Sequence, residues 1–308
     1  MVTKSKGWRI RLPVLQGVLP VSAAQLPGEI IAGLTLAALA IPEVMGYTKI
    51  AGMPVITGLY TIVIPMVLFA IFGSSRHLVV GADSATAAIL AAGLAGVAAS
   101  GSSKYVALAG VLALMAAGCL FLARIVRLGF LADFLSRTVL AGFLTGVGIQ
   151  VAFGQLAGLL GIVGGGPATI FQLPNDWRQF EHINPYVLGL SATVLAVIVG
   201  AKLVSRRLPG ALIAVAGAIM ASWALDLRSY GVHVLGAIPS GLPRPGLPLV
   251  NWSWQLFQQL IPPAFAMFVV ILAQSAATSR AYAARHNEHF SENLDLVGLA
   301  AANLGAGL

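Results

Sequence analysis

Apolar residues fall into nine runs along the chain, at about 30–47, 54–72, 82–98, 105–123, 131–160, 186–203, 208–225, 257–279 and 294–308. A helix crossing the ~30 Å hydrocarbon core of a bilayer needs about 20 apolar residues. The runs therefore predict roughly eight or nine membrane helices joined by loops. The third run is rich in Ala and Gly and opens on polar residues, and the chain ends within the ninth. Two longer polar loops are expected, at about 161–184 and 226–255. Within the second, Val232-His233-Val234-Leu235 reads as a short strand before a Gly/Pro-rich turn. Gly142 and Gly146, like Gly154 and Gly158, are four apart, the spacing of small residues that let membrane helices approach closely.

Composition turns this pattern into a class. Of 308 residues, 58% are hydrophobic and only 9% charged, against about 25% charged in a soluble domain. So few charges cannot cover a soluble surface of this size, and lipid is the expected solvent. The net charge of +8 would suit a nucleic-acid binder only if the basic residues clustered on one face among aromatics. They stand singly or in pairs between apolar runs, so no nucleic-acid partner is expected. With the N-terminus in the cytoplasm and every run crossing once, twelve basic residues fall inside: Lys4, Lys6, Arg9, Arg11, Arg76, Arg124, Arg127, Lys202, Arg206, Arg207, Arg280 and Arg285. Five fall outside: Lys49, Lys104, Arg178, Arg228 and Arg244. Cytoplasmic loops carry the excess of Lys and Arg, so a multi-pass protein of the cytoplasmic membrane with an inside N-terminus is expected. The single cysteine, Cys119, excludes an intrachain disulfide and a cysteine metal cluster. The first apolar run begins near Ile30, too late and too unbroken for a cleaved signal sequence.

The chemistry concentrates between residues 27 and 90. The order is Pro27-Gly28-Glu29, Ala32-Gly33-Leu34-Thr35, Ile41-Pro42-Glu43-Val44-Met45-Gly46-Tyr47, Ala51-Gly52-Met53-Pro54, Gly58-Leu59-Tyr60, Pro65, then Phe72-Gly73-Ser74-Ser75-Arg76-His77 and Gly81. This order resembles the fingerprint of the sulfate permease (SulP) family. There an acid precedes Ala-Gly-Leu-Thr, Ile-Pro-Gln ends the first helix, Gly-Leu-Tyr opens the second and Gly-Thr-Ser-Arg-His closes it. Gly142-Phe143-Leu144-Thr145-Gly146, Ile238-Pro239-Ser240-Gly241-Leu242-Pro243 and Leu294 to Leu308 extend the likeness over nearly the whole chain.

The resemblance implies an all-α integral membrane fold, the first repeat of a seven-plus-seven inverted-repeat transporter plus the start of the second. It also implies a discontinuous third helix whose N-terminus faces a midplane anion site. The expected division is a cytoplasmic segment at 1–26 and a transmembrane domain at 27–308. Within the latter, core-type helices would occupy about 27–127 and 257–308, gate-type helices about 128–225 and an extracytoplasmic loop about 226–256. Helices 10–14 and a cytoplasmic C-terminal domain would be missing, which reads as a fragment or truncated product. The implied substrate is an inorganic anion such as sulfate or bicarbonate, with proton or cation coupling and with homodimerisation left open. No cofactor and no metal are expected.

A half-helix end suits an anion because its unpaired N–H groups carry about half a positive charge. Gly81-Ala82-Asp83-Ser84-Ala85-Thr86 reads as a flexible approach followed by such a start, so Asp83, Ser84, Ala85 and Thr86 are site candidates. The competing reading is a continuous, Ala-rich helix. Glu43 stands where the family commonly has Gln, Asp83 where it has an apolar or aromatic residue, and Gln274 where many members carry a coupling Glu. An ionised carboxylate within the bilayer costs at least about 2.5–3.5 kcal/mol and repels an anion. Asp83 or Glu43 could therefore be protonated with the substrate, replacing the coupling role that Gln274 lacks; alternatively the preferred substrate is not a simple inorganic anion. The plainer reading makes Asp83 a helix cap and lets Glu43 reach external water. A capping Asp83 would itself occupy the N–H groups an anion needs. Tyr47 lies one turn after Glu43 on the same face, lining the site or merely packing. Arg76 is explained by topology alone. His286, Glu288 and His289 lack a zinc-protease spacing and read as a solvated loop. No nucleophile–base pair or nucleotide loop supports an intramembrane enzyme. A non-transporting membrane partner that needs a complementary chain remains the second functional reading.

Overall fold

The computed structural model describes residues 14–19, 23–127, 137–161, 184–205, 210–234, 241, 243, 245–286, 288 and 291–308. Among these, each apolar run becomes one α-helix: α1 (Leu26–Ala51), α2 (Val55–Phe72), α3 (Ser84–Leu94), α4 (Ser103–Ile125), α5 (Arg137–Leu160), α6 (Pro185–Val204), α7 (Gly210–Ala224), α8 (Trp254–His286) and α9 (Glu292–Gly307). Five of them, α1, α2, α4, α6 and α8, are long and apolar enough to cross a membrane.

The ends follow from local chemistry. Gly52 takes the left-handed conformation (φ 69°) that ends α1, and the Gly52 and Met53 amides return to the Lys49 and Thr48 carbonyls. Pro54 then opens α2. Ser102 caps α4 by accepting from the Tyr105 amide, and Asn184 caps α6 through the Tyr186 and Val187 amides, with Pro185 at the first helical position. Pro42 within α1 and Pro262-Pro263 within α8 each remove a backbone donor, a loss membrane helices tolerate when neighbours supply packing or new partners.

Two clusters form the core. Leu94, Tyr105, Leu108, Leu112, Leu260 and Met267 join α3, α4 and α8. Phe69, Leu120, Phe268, Leu272, Leu296 and Leu299 join α2, α4, α8 and α9. The α9 helix lies against α2 and α4, and α8 against α3 and α4. The α5–α7 helices pack in sequence on one another and touch the rest through α1 and α3. Outward faces are apolar: Ile31, Leu34, Val63, Leu122, Leu203 and Trp223 are all exposed, and α6 buries no residue at all. Water would not stabilise such a surface, whereas lipid does.

Connections sort to two ends. Residues 14–19 meet the α2 terminus and the 74–76 turn, through the Leu15 amide on the Ile71 carbonyl (2.6 Å) and Arg76 on the Leu19 carbonyl (2.9 Å). Glu288, between α8 and α9, reaches His77 at that same end. At the other end, Gly101 donates to the Gly52 carbonyl and Asn184 reaches the Tyr230 carbonyl.

Two expectations change. Residues 232–234 form no strand; the Val232 amide closes a turn on the Leu227 carbonyl, so no ladder is built, and Leu235 lies outside the described residues. A Cβ on Gly142 or Gly146 would meet nothing within 4 Å, so that pair makes no close helix contact. The tight approaches are elsewhere: a Cβ on Gly298 would fall 2.8 Å from both the Gly73 nitrogen and its Cα. Gly158 lies against Lys49 Nζ, and Gly154 is outside the side chains described.

Candidate functional site

The third helix begins abruptly. Residues 73–83 carry no helix, and α3 is 11 residues, a length of ~16 Å, too short to cross a bilayer alone. Asp83 starts it: Oδ1 accepts from the Ala85 amide (2.7 Å) and the Thr86 amide (3.2 Å), while the Thr86 hydroxyl donates to Oδ2 (2.7 Å). The first backbone bond of the helix runs from the Ala87 amide to the Asp83 carbonyl. Of the first three α3 amides only that of Ser84 therefore takes no partner among the described residues. Ala85 packs its methyl group into the core at 1% exposure, so it offers the site only its amide.

The α1 helix packs beside α3. On its face the Tyr47 hydroxyl donates to Glu43 Oε1 in a short hydrogen bond, the one-turn pairing their spacing predicts. Glu43 is exposed, Tyr47 half-buried, and the carboxylates of Glu43 and Asp83 both act electrostatically on the Tyr47 hydroxyl. Glu43, Tyr47, Asp83, Ser84 and Thr86 thus gather where α1 meets the start of α3. Gln274 is half-buried on α8 and makes no hydrogen bond to this group among the described residues.

Chemically this is a helix N-terminus whose donors are held by its own acid. An ionised Asp83 satisfies the amides and complements the dipole. A protonated Asp83 is a weaker acceptor, and the same amides then become available to an anion.

A second polar group went unread in the sequence. Asp295, in the first turn of α9, is 5% exposed. Its Oδ1 accepts from the Ser74 amide (2.8 Å), the Ser74 hydroxyl (2.9 Å) and the Ser75 amide (3.0 Å), and Ser279 Oγ lies 3.3 Å from Oδ2. The Ser291 amide donates to the Ser74 hydroxyl oxygen (2.9 Å). Nearby, Arg280 pairs with Glu292 at 2.7 Å. His77 stands 3.3 Å from Glu288, and its ring stacks on His286 with centroids 4.4 Å apart. His286 and Glu288 thus contact His77 while His286 stays exposed and Glu288 partly so, and His289 lies outside the described residues. No group of three metal-ligating side chains occurs among the described residues. The available signal was the pairing of Glu292 with Asp295 three residues apart, in a chain with only 10 acidic residues.

Comparison with known proteins shows what the chain is similar to. The sequence profile of the sulfate permease family matches residues 26–308. A probable sulfate transporter of Mycobacterium tuberculosis (strain CDC 1551 / Oshkosh) is 36% identical over 283 residues, covering 92% of this chain and 50% of that one. Probable sulfate transporter 3.3 of Arabidopsis thaliana is 30% identical over 310 residues, covering 95% of this chain and 48% of that one. The chain thus spans about half the length of these relatives. Among solved structures, the transmembrane domain of the cyanobacterial bicarbonate transporter BicA superposes with a TM-score of 0.81 at 22% identity, over 96% of this chain and 74% of that one. That likeness is one of fold.

Proposed function

Because the chain belongs to the sulfate permease family, we propose that it serves secondary transport of an inorganic anion, sulfate or bicarbonate, across the cytoplasmic membrane. The observation that carries the reading is the mid-fold start of α3, where Asp83 holds the Ala85 and Thr86 amides beside Glu43 and Tyr47 of α1. The anion takes the amides of residues 84–86, and Asp83 accepts a proton as it releases them. Proton and anion then enter together, with Asp83 in the role that Gln274, having no titratable group, cannot fill. Glu43 and Tyr47 line the approach. Transport rather than catalysis is the activity.

The packing of α1–α4 with α8 and α9 supports a core-type unit, and the lightly attached α5–α7 a gate-type unit, as in a seven-plus-seven inverted repeat. Alternating access would be a rocking of one against the other. The twelve-to-five distribution of basic residues supports a cytoplasmic N-terminus.

The test is uptake of radiolabelled sulfate and bicarbonate into proteoliposomes, with and without an inward proton gradient. The chain is compared with a form extended to the full length of its relatives. Gradient-stimulated uptake of one anion is expected from the extended form. Uptake of neither by a correctly folded extended form would reject the reading in favour of a non-transporting membrane partner.

A further inference from the structure

Between α2 and α3, residues 73–83 form no helix and link the end of α2 to the Asp83 cap. Leu78 and Val80 pack against the second core cluster, while His77, Val79 and Gly81 face outward, the period-two alternation of an extended segment. Such a segment has no ladder partner among the described residues to fix its register, and a slip by one residue would reverse its inward face. Its backbone donors must also be satisfied where they are buried. Gly73 returns its amide to Phe69, but the next two amides, of Ser74 and Ser75, go to the carboxylate of Asp295, more than two hundred residues away in sequence. One oxygen, Oδ1, takes both amides and the Ser74 hydroxyl. The other is approached by Ser279 of α8. The adjoining backbones are in contact, since a Cβ on Gly298 would collide with Gly73.

We propose that Asp295 is the positioning residue of the anion site: by pinning the root of the 73–83 segment to α8 and α9, it sets where the start of α3 stands, without touching substrate. The proposal rests on the transport reading for its kinetic consequence, though not for its geometric one. Asp295 is suited to this because its donors are all neutral. No ion pair to it is found among the described residues, where it takes four hydrogen bonds from residues 74, 75 and 279; the three from residues 74 and 75 persist only while the segment keeps its register. A carboxamide in its place retains one carbonyl oxygen able to accept both amides; a methyl group retains none.

The experiment uses the full chain with Cys119→Ser and Gly81→Cys, position 81 being exposed with room for a side chain. The rate of labelling by a maleimide is compared in the parent, Asp295→Asn and Asp295→Ala forms, with Ser229→Cys as a distant reference. Asp295→Ala is expected to change the rate at position 81 at least fivefold and leave the reference unchanged, while Asp295→Asn stays within twofold of the parent. In proteoliposomes holding the form extended to the full length of its relatives, Asp295→Ala should raise the anion KM at least fivefold with Vmax per folded protein within twofold, and Asp295→Asn should restore it. If Asp295→Ala does not fold, Ser74→Ala, which removes only the hydroxyl, should move the labelling rate in the same direction by about twofold. Unchanged labelling at position 81, or a loss of Vmax with KM intact, would overturn the proposal. If the parent in its extended form takes up neither anion, the transport reading fails by itself, and the labelling rates alone decide whether Asp295 positions the segment.

Discussion

Asp83 is asked to do two things, and one substitution separates them. Asn caps helices about as well as Asp, so Asp83→Asn should leave thermal stability in detergent within about 1 kcal/mol of the parent. It cannot take up a proton, so stimulation of uptake by an inward proton gradient should vanish; persistent stimulation would move the coupling proton to Glu43. Asp83→Ala should in addition cost about 0.5–2 kcal/mol, because two amides lose their acceptor. Tyr47→Phe keeps the ring and deletes only the bond to Glu43. A net cost near 1 kcal/mol or less is expected. An anion KM raised about threefold would place Tyr47 at the substrate, and an unchanged KM would leave it a packing residue. At this scale the sequence was legible wherever partners are local. Glu43 and Tyr47 are one helical turn apart, and Asp83 precedes the amides it caps by two and three residues. Asp295 was not legible, because its donors come from residues 74, 75 and 279 and no local rule links them.

At the level of helices, the runs of apolar residues announced all nine elements, since each crossing must be long and continuous in lipid. Pairing was less legible, because lipid supplies no hydrophobic drive and contacts are decided by small residues and shape. Spacing suggested Gly142 and Gly146, yet a side chain at either would meet open space. The close approach falls on Gly298, whose Cβ would lie 2.8 Å from backbone atoms of Gly73 and from Phe69 Cδ2. Neither helix can yield there without moving the Ser74–Asp295 contact as well. Gly298→Val is therefore expected to destabilise by about 1–3 kcal/mol, the usual cost of overpacking, read as a lowered unfolding temperature in detergent. Gly142→Ala should be neutral or slightly stabilising, since Ala has the better helix propensity. Equal losses at both positions would mean that packing density does not distinguish them.

For the molecule as a whole, the two-ended sorting of its connections makes sidedness a single question. If residues 14–19, the 74–77 turn and Glu288 share one end, then fixing one of them fixes all. The α8 helix has 33 residues, ~50 Å long, well beyond the ~30 Å hydrocarbon core, so its last turn with Arg285 and His286 must stand clear of it. Basic residues resist translocation, and the end holding that turn also holds Arg76 and Arg280. Ser229, in the turn after α7, is exposed at the other end. In a Cys119→Ser background, a membrane-impermeant thiol reagent added to intact cells should label Ser229→Cys and spare Arg285→Cys. Permeabilised cells should label both. Labelling of Arg285→Cys alone from outside would invert the whole molecule, because no helix can be re-threaded without breaking the contacts at both ends. It would also reverse the direction in which a proton gradient reaches Asp83, so the sign of gradient-driven uptake and the labelling pattern must agree.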